Sequence, residues 1–315
     1  MEIFRSLDAL PPQPQLSRTV LAIGNFDGVH RGHQAILHEV RERAANLGAK
    51  SVALTFDPHP VRVLRPEQAP KLITPLPQKL DLLAATGIDA TVVIPFTPEF
   101  SQLSALEFVR DVLLNSLHAA EVREGDNFRF GHNASAGPAE LTRLGREFGF
   151  AVVAQPGLYV RGIQVSSSHI RQRIADGDMA ATRALLGRPF SIQSTPARGR
   201  GIGSRLTVPT INLAPYSELL PATGVYVTRM KIGPQIFDSV TNAGHRPTFG
   251  DGAYAIESHL LDFREIDLAP DTPLELCFLS RIRAERRFAS PAELKEQILR
   301  DAAHARRYFQ LLKRV

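Results

Sequence analysis

At Gly187-Arg188-Pro189 the chain changes its rhythm, and no other feature constrains the fold as tightly. Before this point strand-like runs alternate with helix-like stretches. Thr19–Ile23, Ser51–Phe56, Ala90–Phe96 and Ala151–Ala154 read as β-branched or apolar strands. Helical spacing is carried by Ile36, Leu37, Val40, Ala44 and Leu47, by the stretch 77–85, and by a helix that Ser104 and Glu107 open as a capping box. Two short helices over 168–186, broken near Gly177–Asp178, complete this half. Such alternation predicts βαβ units around a parallel sheet. After Pro189, short strand-like runs within 208–213, 224–232, 235–243, 254–263 and 274–282 are separated by turns instead of helices. That pattern predicts a small antiparallel barrel or sandwich. A terminal helix starts at Ser290, with Pro291 at its first position and Glu293 completing the cap. The expected organisation is an α/β parallel-sheet domain, 1–187, followed by a small antiparallel β domain with a C-terminal helix, 188–315.

Composition sets the class of partner. Hydrophobic residues are 43% and charged residues 22% of 315, enough to build two buried cores. No apolar run approaches the ~20 residues of a membrane span. The first fifteen residues lack the basic and then apolar layout of a secretory signal. A lone Cys277 fits a reducing compartment, so a cytoplasmic protein is expected. Lys and Arg (37) exceed Asp and Glu (32) by +5, which suits polyphosphate ligands as well as nucleic acid. With no Trp and 7% aromatic residues, a base-stacking surface is not the first expectation. The expected partners are small molecules, with neither nucleic acid nor membrane among them; the sequence carries no reading of oligomeric state.

Three constellations carry chemistry. Gly24-Asn25-Phe26-Asp27-Gly28-Val29-His30-Arg31-Gly32-His33 follows a predicted strand and opens a predicted helix, so its N–H groups and helix dipole can face an anion. Two histidines three residues apart share one helical turn, where imidazoles can stabilise charge on a transferring phosphoryl group. Gly32 lets a phosphate chain approach the backbone. The bland alternatives are a zinc pair or two surface histidines, and no Cys- or His-rich partner segment supports the former. The second constellation, Ser166-Ser167-Ser168-His169-Ile170-Arg171, sits at a helix start. Its hydroxyls can hold triphosphate oxygens and Arg171 can fork to them, or it is a plain N-cap with a surface arginine. The third is the Gly-rich basic loop 198–205 running into Pro209-Thr210-Ile211-Asn212. Thr210 and Asn212 alternate on a strand and so share a face, where both oxygens could meet a hard cation, or the segment is an ordinary basic turn.

Together these residues carry a resemblance. The first loop is similar to the H-x-G-H signature of nucleotidyltransferases, in the form G-x-F-D-G-x-H-x-G-H. That form resembles the first module of the bacterial bifunctional riboflavin kinase/FAD synthetase (FMN adenylyltransferase) family. Glu124-Gly125-Asp126-Asn127-Phe128-Arg129-Phe130-Gly131 resembles its flavin and nucleotide loop, the serine run its S-S-T-x-I-R motif, and LLGRPF the module's end. In the second half, Gly199, Gly203, Thr210 and Asn212 fall on the family's kinase signature, although Thr207 and Val208 stand where Gly-Phe is usual. Arg283 and Phe288 fit its final R-x-x-x-x-F. The resemblance implies a nucleotidyltransferase-like domain and a riboflavin kinase β-barrel. It implies catalytic roles for His30, His33, Arg171 and Glu257, and ATP contacts from Gly24, Phe26, Asp27, Gly32, Ser167, Ser168, Gly199 and Gly203. It further implies flavin contacts from Asn127 and Phe128, metal contacts from Thr210 and Asn212, Mg²⁺ as the cation, and ATP, riboflavin and FMN as substrates. Two rivals stay open: a single-activity adenylyltransferase with a flavin-binding barrel, and a basic RNA-binding protein.

Overall fold

The computed structural model describes residues 1–11, 17–197, 210–245, 254–261 and 268–313. The chain divides into two compact units, Met1–Ser167 and Ser168–Val315.

The first unit is built on six parallel strands, β1 (Glu2–Phe4), β2 (Thr19–Ile23), β3 (Lys50–Asp57), β4 (Ala90–Pro95), β5 (Ala119–Gly125) and β6 (Ala151–Gln155). Their order is β1-β4-β3-β2-β5-β6. The chain reverses its direction of travel between β2 and β5, so the crevice outside the carboxyl ends of these two strands is where such a sheet binds ligands. Every residue of β2 is buried, as a strand covered on both faces requires. Helices α1 (Arg31–Leu47), α2 (Pro60–Leu64), α3 (Leu76–Ala84), α4 (Ala105–Glu107, continued as a π-helix over Phe108–Ser116) and α5 (Pro138–Phe148) cover the sheet. On one face Leu37, Val40 and Ala44 of α1 pack on Val20 and Ala22. On the other, Leu21, Ile23 and Leu54 pack beneath Phe108, Leu113 and Leu141. The Ser104–Glu107 capping box forms as expected.

Strand β5 has no counterpart in the sequence reading, because it carries Glu121, Arg123 and Glu124. The fold accommodates them differently. Glu121, 2% exposed, accepts from Arg43 of α1 and from Arg123, each at 2.7 Å.

After a short hairpin, β7 (Tyr159–Val160) and β8 (Ile163–Gln164), helices α6 (Ser167–Asp176) and α7 (Met179–Leu186) follow. Apart from its first residue, Ser167, α6 lies with α7 in the second unit, where α7 packs on β9 (Phe190–Ser194) and β14 (Leu274–Arg283). By packing, the helical pair goes with the strands that follow it, although the chain's rhythm changes only after α7. Strands β10 (Thr210–Asn212), β11 (Gly224–Ile232), β12 (Gln235–His245) and β13 (Tyr254–Leu260) complete an antiparallel sheet of order β10-β13-β12-β11-β14-β9. Its two edges meet: Ala197 N–H donates to Asn212 O and Ala214 N–H to Thr195 O, both at 2.8 Å, so the sheet curls into a barrel. Inside, Thr228, Ser239, Thr241 and Ser258 are fully buried and satisfy one another through hydroxyl bonds of 2.7–3.0 Å. Helix α8 (Pro291–Leu312), capped by Ser290, lays Ala302, Ala305 and Phe309 on Val225, Val227 and Val240. Among the described residues no helix is long and apolar enough to cross a membrane.

Candidate functional site

The histidine loop leaves β2 at the sheet's switch point. Gly24 N–H extends the ladder by one bond to Leu54 O (3.0 Å), after which Phe26 (φ 47°), Gly28 (φ 83°) and Val29 (φ 37°) turn left-handed. Glycine adopts this readily; phenylalanine and a β-branched valine do so at a cost of order 1–3 kcal/mol each. The surroundings hold them there. Phe26 and Val29 are 2% and 1% exposed in the core beneath α1. The Asp27 carboxylate, 3% exposed, accepts from the N–H groups of Ile73 and Thr74 at 3.0 Å, while Gly28 N–H donates to Thr74 Oγ1 (3.0 Å). Asp27 therefore anchors the loop through its side chain.

The loop delivers two stacked imidazoles. His30 is the N-cap of α1, its Nδ1 accepting from His33 N–H at 3.3 Å, which leaves the proton of a neutral ring on Nε2. The His30 and His33 rings lie 3.5 Å apart at 14°, and the edge of Phe26 meets His33 at 5.2 Å. A Cβ at Gly32 would come within 3.2 Å of the His30 ring, so glycine is what lets the pair stack. Burial, reinforced by His30 and Lys79, holds the His33 imidazole well below the usual histidine range and therefore neutral at pH 7. Its Nδ1 is buried without a partner among the described residues. Among the described residues no group of three or more His, Cys, Asp or Glu side chains could hold a metal.

Ser167 and Lys79 complete the loop's setting. Ser167 Oγ donates to Asp27 O at 2.9 Å, bringing the first residue of α6 onto the histidine loop. Arg171, half-buried, follows four residues later in the same helix, and Ser168 is exposed. Sequence reasoning missed Lys79 of α3, 7% exposed, whose ammonium group donates to Asn25 O and Thr55 Oγ1 at 3.2 Å. Its signal was available: a lysine beside Leu80 and Leu83 on the core-facing stripe of a predicted helix.

At the end of β5, Phe128 stacks on Phe130 (5.5 Å, 14°), and ring contacts continue through Phe108 and Phe100 to Phe56 and Phe96. This aromatic row belongs to the face of the sheet opposite α1. Asn127 is exposed, at the tip of a turn closed by Phe128 N–H to Gly125 O (3.1 Å). Glu124, 1% exposed with neither carboxyl oxygen partnered among the described residues, has its acid pushed up to about 8 by burial. The folded state thus holds a proton that the unfolded chain releases near 4.5. Its favourable contribution is fully present below 4.5 and is lost as pH rises through 8, at about 1.4 kcal/mol per unit. The expected result is a Tm of the wild type that falls between pH 5 and 9 while Glu124→Gln stays nearly flat. Parallel curves in thermal melts would show that the carboxyl is not held neutral.

In the barrel, register brings the sequence candidates together. Asn212 of β10 pairs with Glu257 of β13, which pairs in turn with Asn242 of β12; Thr210 pairs with His259. Directly paired residues share a face, so Thr210, Asn212 and Glu257 stand side by side. Gly199, Gly203, Thr207 and Val208 lie outside the described residues. Arg283 donates twice to Asp301 of α8 (3.1 and 2.8 Å) and lies over the ring of Phe288, tying the end of β14 to that helix.

Comparison with known proteins finds matches over both halves of the chain. The family models for FAD synthetase and riboflavin kinase match residues 12–169 and 186–309. A bifunctional riboflavin kinase/FMN adenylyltransferase of Escherichia coli K12 is 35% identical over 99% of both chains. Those of Pseudomonas fluorescens and Haemophilus influenzae are 38% and 32% identical, covering 97% and 93% of this chain and 97% and 95% of their own. A solved structure named macrolide-efflux protein from Streptococcus pneumoniae superposes with a TM-score of 0.86 at 26% identity, covering 96% of this chain and 98% of that one. With the histidine loop, the paired Asn212 and Glu257, and both modules matched in order over nearly the whole length, the chain belongs to the bifunctional riboflavin kinase/FMN adenylyltransferase family.

Proposed function

We propose that the protein makes FAD in two steps, phosphorylating riboflavin in the barrel and adenylylating FMN in the α/β module, in the cytoplasm. The observation that carries the second step is the stacked, neutral histidine pair at the start of α1 and at the sheet's switch point. An FMN phosphate oxygen attacks the α-phosphorus of ATP, the bond to the bridging oxygen breaks, and pyrophosphate leaves. Little covalent chemistry is asked of the protein, so positioning and charge stabilisation dominate. The imidazoles of His30 and His33 donate to phosphate oxygens as charge shifts onto them, the N-terminus of α1 adds its dipole, and Arg171 forks to the leaving phosphates. Gly24, Phe26, Asp27 and Gly32 shape the loop that receives ATP; Ser167 and Ser168 hold phosphate oxygens at the start of α6. The flavin ring lies along the aromatic row at Phe128, with Asn127 at its edge.

In the barrel, the Glu257 carboxylate takes the proton of the ribityl hydroxyl as that oxygen attacks the γ-phosphorus and ADP leaves. Gly199 and Gly203 belong to the loop that receives the phosphates. Two neutral oxygen donors, Thr210 and Asn212, would hold Mg²⁺ beside the phosphates. When bound there it neutralises polyphosphate charge. Incubating the purified protein with riboflavin, ATP and Mg²⁺, then resolving FMN and FAD by chromatography, tests the reading; FMN and FAD are both expected, and neither product would overturn it.

The two steps separate along the chain at 187/188. A fragment 1–187 is expected to convert supplied FMN to FAD, because Ser167, Ser168 and Arg171 remain in it, whereas a fragment 1–167 loses Arg171 and falls by at least ~10-fold. A folded fragment 1–187 without adenylyl transfer would show that the site draws residues from the barrel.

A further inference from the structure

Lys79 combines three properties that surface lysines lack. It is 7% exposed on the inner face of α3. Its ammonium group donates to Asn25 O and Thr55 Oγ1 at 3.2 Å, with Phe56 O at 3.5 Å as a longer third partner. These acceptors lie at the carboxyl ends of two neighbouring parallel strands, Asn25 just beyond β2 and Thr55 and Phe56 among the last residues of β3. Burying an ammonium group is expensive, and a methionine of similar reach would fill the same space more cheaply. Burial does lower the acidity range of Lys79, opposed by Asp27 and Asp57, the charged groups that face it. Asn25 is adjacent to Phe26, whose ring packs against His33 at 5.2 Å, so one residue separates the carbonyl that Lys79 holds from the ring that meets the imidazole. The same ammonium charge reaches His33 and, with burial and the neighbouring His30, disfavours its protonation.

We infer that Lys79 is a positioning residue for adenylyl transfer: it locks the histidine loop against the end of β3 and supplies a fixed positive charge behind the histidine pair. This rests on the reading of that loop as the adenylyl-transfer site. The lock keeps both rings stacked in a loop whose Phe26 and Val29 are otherwise strained. The charge opposes protonation of His33, so this imidazole enters the reaction neutral, with an N–H group to donate and no proton already taken up.

The test uses the full-length protein and three variants. Lys79→Arg keeps charge and donors, Lys79→Gln keeps a donor without charge, and Lys79→Met keeps neither. Histidine titration is followed by NMR, with the His33 signal identified by its loss in His33→Ala; FAD formation from FMN and FMN formation from riboflavin are measured alongside. In Lys79→Gln the His33 midpoint is expected to rise by about half a unit or more, and in Lys79→Arg to stay with the wild type. In Lys79→Met, kcat for FAD formation is expected to fall at least ~10-fold with the KM for FMN nearly unchanged, while FMN formation continues. Lys79→Arg should recover part of that loss. Identical His33 midpoints in all four proteins, or wild-type FAD formation in Lys79→Met, would overturn the inference. So would failure of all three variants to fold, which would make Lys79 a residue of the core alone. A wild type that makes no FAD would instead sink the reading of the loop, and the His33 midpoints would still decide whether Lys79 is coupled to the pair.

Discussion

Replacing His30 or His33 with Ala is expected to cut FAD formation by at least ~100-fold, the loss typical of one preorganised contact removed from a developing charge. The two substitutions should not act alike. His30→Ala removes an N-cap, the Nδ1 acceptor for His33 N–H, and one ring of the stack. It therefore also loosens the start of α1, by about 1 kcal/mol. His33→Ala removes the buried ring and its unpartnered Nδ1 but leaves the cap residue in place. His30→Asn is the informative companion, since asparagine caps a helix as well as any residue but offers no imidazole. It should restore stability and leave FAD formation low. FMN formation from riboflavin should continue in all three, and chromatography of the products at saturating ATP reads both activities. Near-normal FAD synthesis in His30→Ala and His33→Ala together would take the adenylyl site away from this loop.

Glu257→Gln is expected to lower kcat for FMN formation by ~100-fold or more with little change in ATP binding. Glutamine keeps the shape of the side chain and its place opposite Asn212 and Asn242, but it cannot take a proton. Asn212→Ala acts on a different step. It removes an oxygen from the strand edge that also accepts, through its backbone, the barrel-closing bond from Ala197. Because that bond uses the main chain, the barrel should survive, and the expected result is weaker metal–nucleotide binding with a raised Mg²⁺ requirement. Thr207→Gly, at the position where the family's signature usually has glycine, should preserve or improve ATP affinity. The measurement is FMN formation at varied ATP and Mg²⁺. A wild-type protein that binds riboflavin and produces no FMN would leave the single-activity adenylyltransferase as the better reading.

Much of the fold was legible because its signals are short-ranged. The Ser104–Glu107 box, the Ser290 cap and Gly187 after α7 each act within a few residues. Strands β2, β3 and β4 are apolar enough on both faces to declare themselves. Strand β5 did not, although it sits beside β2 at the centre of the sheet. Its Glu121 is acceptable there only because Arg43 reaches it from 78 residues away, and Glu124 only because it keeps its proton. A propensity reading sees three charged residues in five and passes over the strand.

The candidate sites divide along the same line. The sequence alone determined which residue types stand together in a strand–loop–helix: two imidazoles three apart at a helix start, and a threonine and an asparagine on one face of a strand. Those depend on backbone periods of 3.6 and 2, which are properties of the local chain. Tertiary structure alone decided which of them meet, and for what purpose. Asp27 anchors the loop because Ile73 and Thr74 arrive 46 and 47 residues later with free N–H groups. Glu257 meets Asn212 through the register of β10 on β13, which a one-residue slip would abolish by turning the side chain to the other face. Lys79 sits behind the histidines because α3 packs under the ends of β2 and β3. Local geometry is written in neighbouring residues, whereas burial, and the hydrogen bonds and charge shifts that follow from it, exists only once distant segments have closed over one another.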